Sequence, residues 1–373
     1  MDTNLVVIAS YNYSRALLLR GRLEAEGIEC YLANINLVQP DISSGVKVLI
    51  KKDDVAAATR IIKSISRDYG ETEEVLKPAL YKIHRILVPV DFSDTSLNAC
   101  EYAVALADRL NAEIKIVHAY YDPPAVASAF PDAFSYELGM GGLHKDLENM
   151  AKEELKSFKE NVIKHALDKG ITNVKISAKL VHGIAENEIK EVANKYKPHL
   201  IVISNKGKGM VKGNPIGHVT AELIDTSKFP VFAIPEQAKY KQIENNNLLY
   251  ITDFDDPDFT SFRKLMSIIS PFNMKVFCIH IGNGQNQAFD TVQMEEVQDK
   301  INSGYADFHV ECHLINNPDM VTGINEFVTE HNIDIIAMSN RKHSLLYRLF
   351  NVSKARKILY RITVPLLVFQ LKD

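Results

Sequence analysis

Two runs of this chain repeat one another, and that repetition restricts the fold more than any figure of composition. Asp91–Phe92 recurs as Asp253–Phe254, Asn111 as Asn273 and His118 as His280, all 162 positions apart without a gap. Further on, Ile189 and Ile324, Ser204–Asn205 and Ser339–Asn340, and Pro230 and Pro365 share a spacing of 135. The difference, 27 residues, falls between the second strand and the middle helix, as an extra Pro- and Gly-containing stretch and a longer helix in the first copy. Such a chain holds one domain twice. Its 373 residues suit two or three domains at roughly 150 residues each.

Within the first copy, strands and helices alternate. The strand RILVPV from Arg85 leads to Asp91, then come a helix Asp94–Leu110, a strand EIKIVHAY, a polar stretch Tyr121–Leu143 and a charged helix from about Lys145 to Lys169. A strand VKISAKLV, a helix Ala185–Tyr196 and a final unit His199–Ile234 follow. Alternation of this kind predicts βαβ units and a parallel sheet. The expected class is α/β, with two doubly wound, Rossmann-like five-stranded sheets in tandem. Ahead of them stands a small α+β module in βαββα order: strand Leu5–Ala9, helix Tyr13–Glu26, strands Ile28–Ala33 and Val46–Ile50, and helix Asp53–Ser66. Gly27 is placed as a C′ glycine and Asp53 as a helix N-cap. Residues 69–80, acidic and then carrying Pro78, read as a linker, so the domains are set at 1–76, 77–240 and 241–373.

Apolar content of 46% and charged content of 24% are those of a soluble globular protein. No apolar segment approaches the ~20 residues that span a bilayer. The opening MDTNLVVIASYNYSR has an acid at position 2 and no basic region before its short apolar run, unlike a secretory signal. A cytoplasmic protein without a membrane partner is expected. The net charge of −4 gives no reason to expect bulk nucleic-acid binding. Cys30, Cys100, Cys278 and Cys312 are scattered, form no CxxC pair and read as buried thiols.

The chemistry is concentrated in His199–Pro235, an apolar run, a Gly/Lys-rich loop, a helix and a second apolar run. Glycines 207, 209, 213 and 217 allow close approach of backbone to a ligand, and Gly217 precedes a helix whose free N–H groups favour anions. Lys206, Lys208 and Lys212 add positive charge, with no acid between Ile201 and Ala221. This is the outline of a phosphate cradle. Asp91 stands either at a ligand site beyond the end of its strand or as the N-cap of the helix that follows.

In VPVDFS, VHAY and GHVTAELI ahead of FPVFAIP, the chain resembles the universal stress protein family as a tandem pair, over about Arg85–Glu236 and Leu248–Leu371. Members that bind ATP carry G-x2-G-x9-G-[ST]. Here Ser204 and Gly207 take the first two positions, nine residues follow, Gly217 takes the third, and His218 stands where the hydroxyl would be. The resemblance implies that Pro89, Asp91 and Ala119 line an adenine and ribose pocket. It implies that Ile203, Ser204, Gly207, Gly217, His218 and Val219 hold ribose and phosphates. The implied ligand is ATP or AMP in the first copy, with magnesium accompanying ATP. Ser204 sets a Cβ where ribose or phosphate would approach, while a neutral His218 ring still donates one N–H. The second copy keeps Asp253 but has Ile251, Lys342, Val352 and Ser353 at the positions of Pro89, Gly207, Gly217 and His218, so a pairing role is expected there. The fifth strands, VFAIP and PLLVF, are expected to pair as an internal pseudo-dimer or between chains. Residues 4–65 resemble bacterial modules described as signal-transducing, through SYNYSRALLLRGRLEAEGIECYLAN and GVKVLIKKDDVAAATRII. The expected function is nucleotide binding coupled to stress response or signalling, without turnover. The alternative is a nucleotide-free scaffold acting through dimerisation and partner binding. Slow ATP hydrolysis lacks a positioned general base.

Overall fold

The computed structural model describes residues 5–33, 46–62, 82–121, 133–207, 217–240, 246–252, 256–282, 290–301, 310–340 and 363–370, apart from a few single positions within them. The linker at 69–80, Lys208, Gly209, Lys212, Gly213, Asp253 and the basic run from Arg341 to Arg361 lie outside the described residues.

The amino-terminal module follows the expected order. Strand β1 (Leu5–Tyr11) leads into helix α1 (Tyr13–Ala25), then β2 (Cys30–Ala33) and β3 (Val46–Lys51), with helical residues again at 55–62. The sheet order is β1-β3-β2, antiparallel throughout. Gly27 adopts φ 79°, and Ile28 N–H returns to Leu23 O at 2.9 Å, so the left-handed glycine closes α1 as expected. Asp53 is not an N-cap. It lies inside a 3₁₀ turn, Lys52–Asp54, that precedes the helix. Ile8, Leu19, Leu23, Val46, Val48, Ile50 and Ile62 form this module's core, and Val292 joins them from far along the chain.

The first repeat contains β4 (Arg85–Pro89), α2 (Asp94–Leu110), β5 (Glu113–Tyr120), α3 (Ala133–Asp168), β6 (Ile176–His182), α4 (Ala185–Tyr196), β7 (Leu200–Ser204), α5 (His218–Thr226) and β8 (Val231–Ile234). The strands run parallel in the order β8-β7-β4-β5-β6. Central strands covered on both faces carry continuous apolar runs. Ile86, Leu87, Val88, Ile201 and Val202 are accordingly fully enclosed. Helix α2 has the predicted bounds, with Ser93 as its N-cap and Asn111 closing it at φ 55°. Helix α3 begins at Ala133, well before the predicted start near Lys145. Gly139, Gly141 and Gly142 there were read as a loop, but glycine costs a helix only about 1 kcal/mol each, which a long helix tolerates. Glu101 of α2 clamps it, bonding His165 Nδ1 at 2.7 Å and Lys169 Nζ at 2.7 Å. Burial alone would raise that carboxyl, but these bonds outweigh it and hold it below its usual range.

The second repeat contains β9 (Asn247–Ile251), α6 (Asp256–Ile269), β10 (Lys275–Gly282), β11 (Val310–Asn316), α7 (Met320–Glu330), β12 (Ile335–Asn340) and β13 (Leu366–Gln370). The chain divides into two compact units. One holds the amino-terminal module with residues 245–266 and 274–334; the other holds 81–244, 267–273 and 335–373. In the first unit β9, β10 and β11 run parallel, as β4, β5 and β6 do. In the second unit β12 and β13 run parallel, as β7 and β8 do.

The repeat shows bond by bond at the spacings read from the sequence. Val90 N–H reaches Val117 O at 2.9 Å, and Thr252 N–H reaches Ile279 O at 2.9 Å. His199 N–H reaches Arg85 O at 2.8 Å, as Asp334 N–H reaches Asn247 O at 2.8 Å. His118 Nδ1–H donates to Val90 O at 2.8 Å, and His280 Nδ1–H to Thr252 O at 2.9 Å. Lys197 and Asn332, left-handed at φ 50° and 49°, end corresponding helices.

The two fifth strands meet within the chain. Leu366 pairs with Ala233, Leu367 with Phe232 and Val368 with Val231, antiparallel. Leu366, Leu367, Val368 and Phe369 are buried, so β13 covers the edge that β8 would otherwise expose. Cys30, Cys100 and Cys278 are buried as expected, whereas Cys312 is only half-buried. Burial pushes the Cys30 thiol up to about 11 and the enclosed Cys100 higher still. Among the described residues no helix is long and apolar enough to cross a membrane.

Candidate functional site

In a doubly wound sheet a ligand site forms beyond the carboxyl ends of the strands where the chain order reverses. Here that place lies between β4 and β7, which are neighbours although β5 and β6 intervene in the chain. Two loops converge on it: Asp91–Ser93 after β4 and Asn205–Gly207 after β7.

Asp91 is held by the turn that follows it. Its Oδ1 accepts from Ser93 N–H at 3.1 Å, Ser93 Oγ at 2.5 Å and Ser96 Oγ at 2.6 Å. The helix cap itself is Ser93, whose Oγ accepts from Ser96 N–H at 3.2 Å, so Asp91 is not the N-cap. Phe92 between them has φ 62°, an outlier for a bulky residue. Its ring lies 4.0 Å from that of His118 and 5.5 Å from that of Phe158. Pro89 ends β4 in the sheet, Val90 extends its line by the bond to Val117, and Ala119 lies near the end of β5.

The loop after β7 is stitched to this turn and to itself. Thr95 Oγ1 donates to Lys206 O at 2.9 Å, and Ser204 Oγ donates to the same carbonyl at 2.8 Å. Ser204 is buried. Its hydroxyl is thus committed to its own loop, two residues on. Ile203 is enclosed within β7. Thr220 Oγ1 donates to Ser204 O at 2.8 Å, and Gly217 N–H to Asn205 O at 2.7 Å. Asn205 Oδ1 is enclosed and meets no donor among the described residues.

The two predicted glycines differ in kind. A Cβ on Gly207 would lie 2.5 Å from Asp91 Oδ2, so the anchored carboxylate itself demands glycine there. Gly217 has an ordinary φ of −60°, and among the described residues a Cβ would meet only Asn205 O, at 3.5 Å. Among the described residues, neither backbone strain nor a close contact requires glycine at 217.

Gly217 is the N-cap of α5 and supplies no side-chain bond, and the first turn of α5 carries no acid. The first N–H groups of a helix have no partner within it and carry the positive end of its dipole. Val219 is half-buried in that turn. His218 is exposed and turns aside, its Nδ1 2.8 Å from Glu186 Oε1 at the start of α4. One turn on, Lys190 Nζ meets Glu222 Oε1 at 2.8 Å, and that hydrogen bond holds the Glu222 carboxyl below its usual range. The helices α4 and α5 therefore lie side by side with both N-termini at this edge. Lys206 Nζ is 2.7 Å from Glu236 Oε2. Sequence reasoning did not single out Ser93, Thr95, Asn205 or Glu186. Of these, only Ser93 carries a local signal, as a residue type favoured at helix starts.

A Rossmann-like parallel sheet with two loops converging at its switch point places the first repeat in the doubly wound class of α/β domains. The universal stress protein family model matches residues 82–235. The chain is 31% identical over 160 residues to Universal stress protein MJ0531 of Methanocaldococcus jannaschii, covering 43% of this chain and 85% of that one. It is also 31% identical over 162 residues to Universal stress protein MJ0577 of the same organism, covering 42% and 95%. The crystal structure of a universal stress protein from Archaeoglobus fulgidus shares the fold, with a TM-score of 0.58 at 16% identity, over 79% of this chain and 98% of that one. The chain belongs to the universal stress protein family.

Proposed function

We propose that the protein is a tandem universal stress protein whose first repeat binds an adenine nucleotide, and whose second repeat and amino-terminal module serve pairing and signalling. The observation that carries the reading is Gly217, a glycine at the N-cap of α5 for which the described residues supply no steric reason. A ligand approaching the backbone there supplies the missing reason. ATP or AMP would lie across the switch point, with Pro89, Asp91 and Ala119 toward adenine and ribose, and Ile203, Ser204, Gly207, Gly217, His218 and Val219 toward ribose and phosphates. Asn205 Oδ1, an enclosed acceptor lacking a donor among the described residues, suits a ribose hydroxyl or an exocyclic amine, because an unpaired buried acceptor is costly. Among the described residues no three His, Cys, Asp or Glu side chains gather as a metal site, so magnesium would be carried on the phosphates.

The test is to purify the protein without added nucleotide, denature it, and analyse the released small molecules by mass spectrometry, with calorimetric titration of ATP and AMP alongside. Gly217→Ala should remove binding while lowering thermal stability only slightly. No released nucleotide together with no heat of binding overturns the reading.

A second reading, the nucleotide-free scaffold, draws on His218, which is turned to Glu186 where ATP-binding relatives of the motif carry a hydroxyl. In that case His218→Ser creates binding that the native protein lacks. Micromolar binding by the native protein eliminates it.

A further inference from the structure

We infer that Glu186 is a specificity-determining residue of the proposed site, which it biases toward an adenine nucleoside or monophosphate and against a triphosphate. This rests on the nucleotide reading of the first repeat. The start of α5 offers open N–H groups and a positive dipole end, with no acid of its own, which by itself would favour a polyphosphate. The neighbouring helix supplies the acid. Glu186, in the first turn of α4, is itself mostly buried and lies 2.8 Å from Nδ1 of His218, the first residue of α5. The imidazole thereby brings a fixed carboxylate to the helix start where a β- or γ-phosphate would gather charge.

Lys206, in the loop after β7, is likewise paired with an acid, its Nζ 2.7 Å from Glu236 Oε2. A triphosphate would have to separate His218 and Lys206 from their carboxylates and then lie beside those carboxylates, and like charges in contact are strongly unfavourable. An uncharged nucleoside displaces neither pair, and a single phosphate needs only the open N–H groups. The parallel alignment of α4 and α5 fixes this geometry. Lys190 and Glu222, one turn along each helix, form a second rung at 2.8 Å, which keeps the two helix starts in register.

The experiment measures binding of adenosine, AMP and ATP by calorimetry to the native protein and to Glu186→Gln, Glu236→Gln and Glu222→Gln. The native protein should bind adenosine or AMP at least tenfold more tightly than ATP. Glu186→Gln should raise ATP affinity about tenfold with adenosine unchanged, Glu236→Gln should act in the same direction more weakly, and Glu222→Gln should leave the ratio as it was. The ratio is the readout, because a merely structural role for Glu186 would weaken all three ligands together. An unchanged ratio in Glu186→Gln, or tighter binding of ATP than of AMP by the native protein, overturns this inference while the nucleotide reading stands. Absence of binding by all three ligands to every variant overturns both.

Discussion

The first and second repeats share their hydrogen bonds and differ in their glycines, and that contrast separates what the fold requires from what a ligand would require. The paired bonds of Val90 and Thr252, of His199 and Asp334, and of His118 and His280 recur at the same lengths to within a tenth of an ångström. These are scaffold. Ser204 belongs with them, since its counterpart Ser339 is equally buried, at 6%. The serine that departs from the ATP-binding pattern is therefore a property of this chain's repeat rather than of one site. Gly217 stands apart: the second repeat replaces it with Val352, and among the described residues no close contact calls for it.

The contrast can be strained first where the repeats meet. Ending the chain at Ile362 removes four buried β13 side chains, each worth about 1.5–3 kcal/mol, and exposes the edge of β8. The truncated protein should melt far lower and associate on size-exclusion chromatography; a monodisperse product with an unchanged melt would show that the fifth strands do not hold the fold. The two glycines come next. Gly207→Ala should cost about 1–3 kcal/mol in urea unfolding, as overpacking against the anchored Asp91 does, whereas Gly217→Ala should cost less, about 0.5–1 kcal/mol, because alanine is a poorer N-cap than glycine. Equal losses would erase the distinction between a packing glycine and a ligand glycine.

A smaller effect is expected at the left-handed helix ends. That conformation costs a side chain roughly 1–2 kcal/mol, and asparagine bears it better than lysine. Lys197→Gly should therefore stabilise the protein more than Asn332→Gly does, by about half a kcal/mol, measured as paired shifts in denaturant midpoint. The smallest effect is in acid. Burial lowers the pKa of His199 in the first repeat, aided by Arg85 and His84, and burial likewise lowers that of His280 in the second. The unfolded chain takes up these protons near pH 6.5 and the folded chain only below that. The stability contributed by each neutral ring is present above about pH 6.5 and is lost as the pH falls toward the lower folded values. Thermal melts between pH 7.5 and 5 should decline, and less steeply in His199→Gln and in His280→Gln.

Much of this was legible in the residues because parallel strands buried on both faces advertise themselves as apolar runs. Helix α2 was bounded correctly from Asp94 to Leu110, and the repeat spacing carried over to individual bonds. The early start of α3 was not legible, since Gly139, Gly141 and Gly142 imitate a loop locally although glycine costs a helix only about 1 kcal/mol each. At the candidate site the positions that a motif can carry, Asp91, Gly207 and Gly217, are named by the sequence, and the structure sets Gly207 against Asp91. Asn205 and Glu186 were missed for a physical reason: one is a loop amide whose lack of a donor exists only in three dimensions, and the other reaches the site from a different helix, 32 positions away from its partner His218.

The presence of Val292 in the core of the amino-terminal module bears on the order of events during synthesis. Chains emerge amino end first, and domains generally fold as units as they appear. This module's first 62 residues would leave the ribosome with their apolar centre incomplete and would wait for the helical segment at 290–301 to finish it. Its final consolidation therefore waits until the chain has been made at least as far as Val292, and a nascent chain stalled before that point should leave this core open to proteases and chaperones.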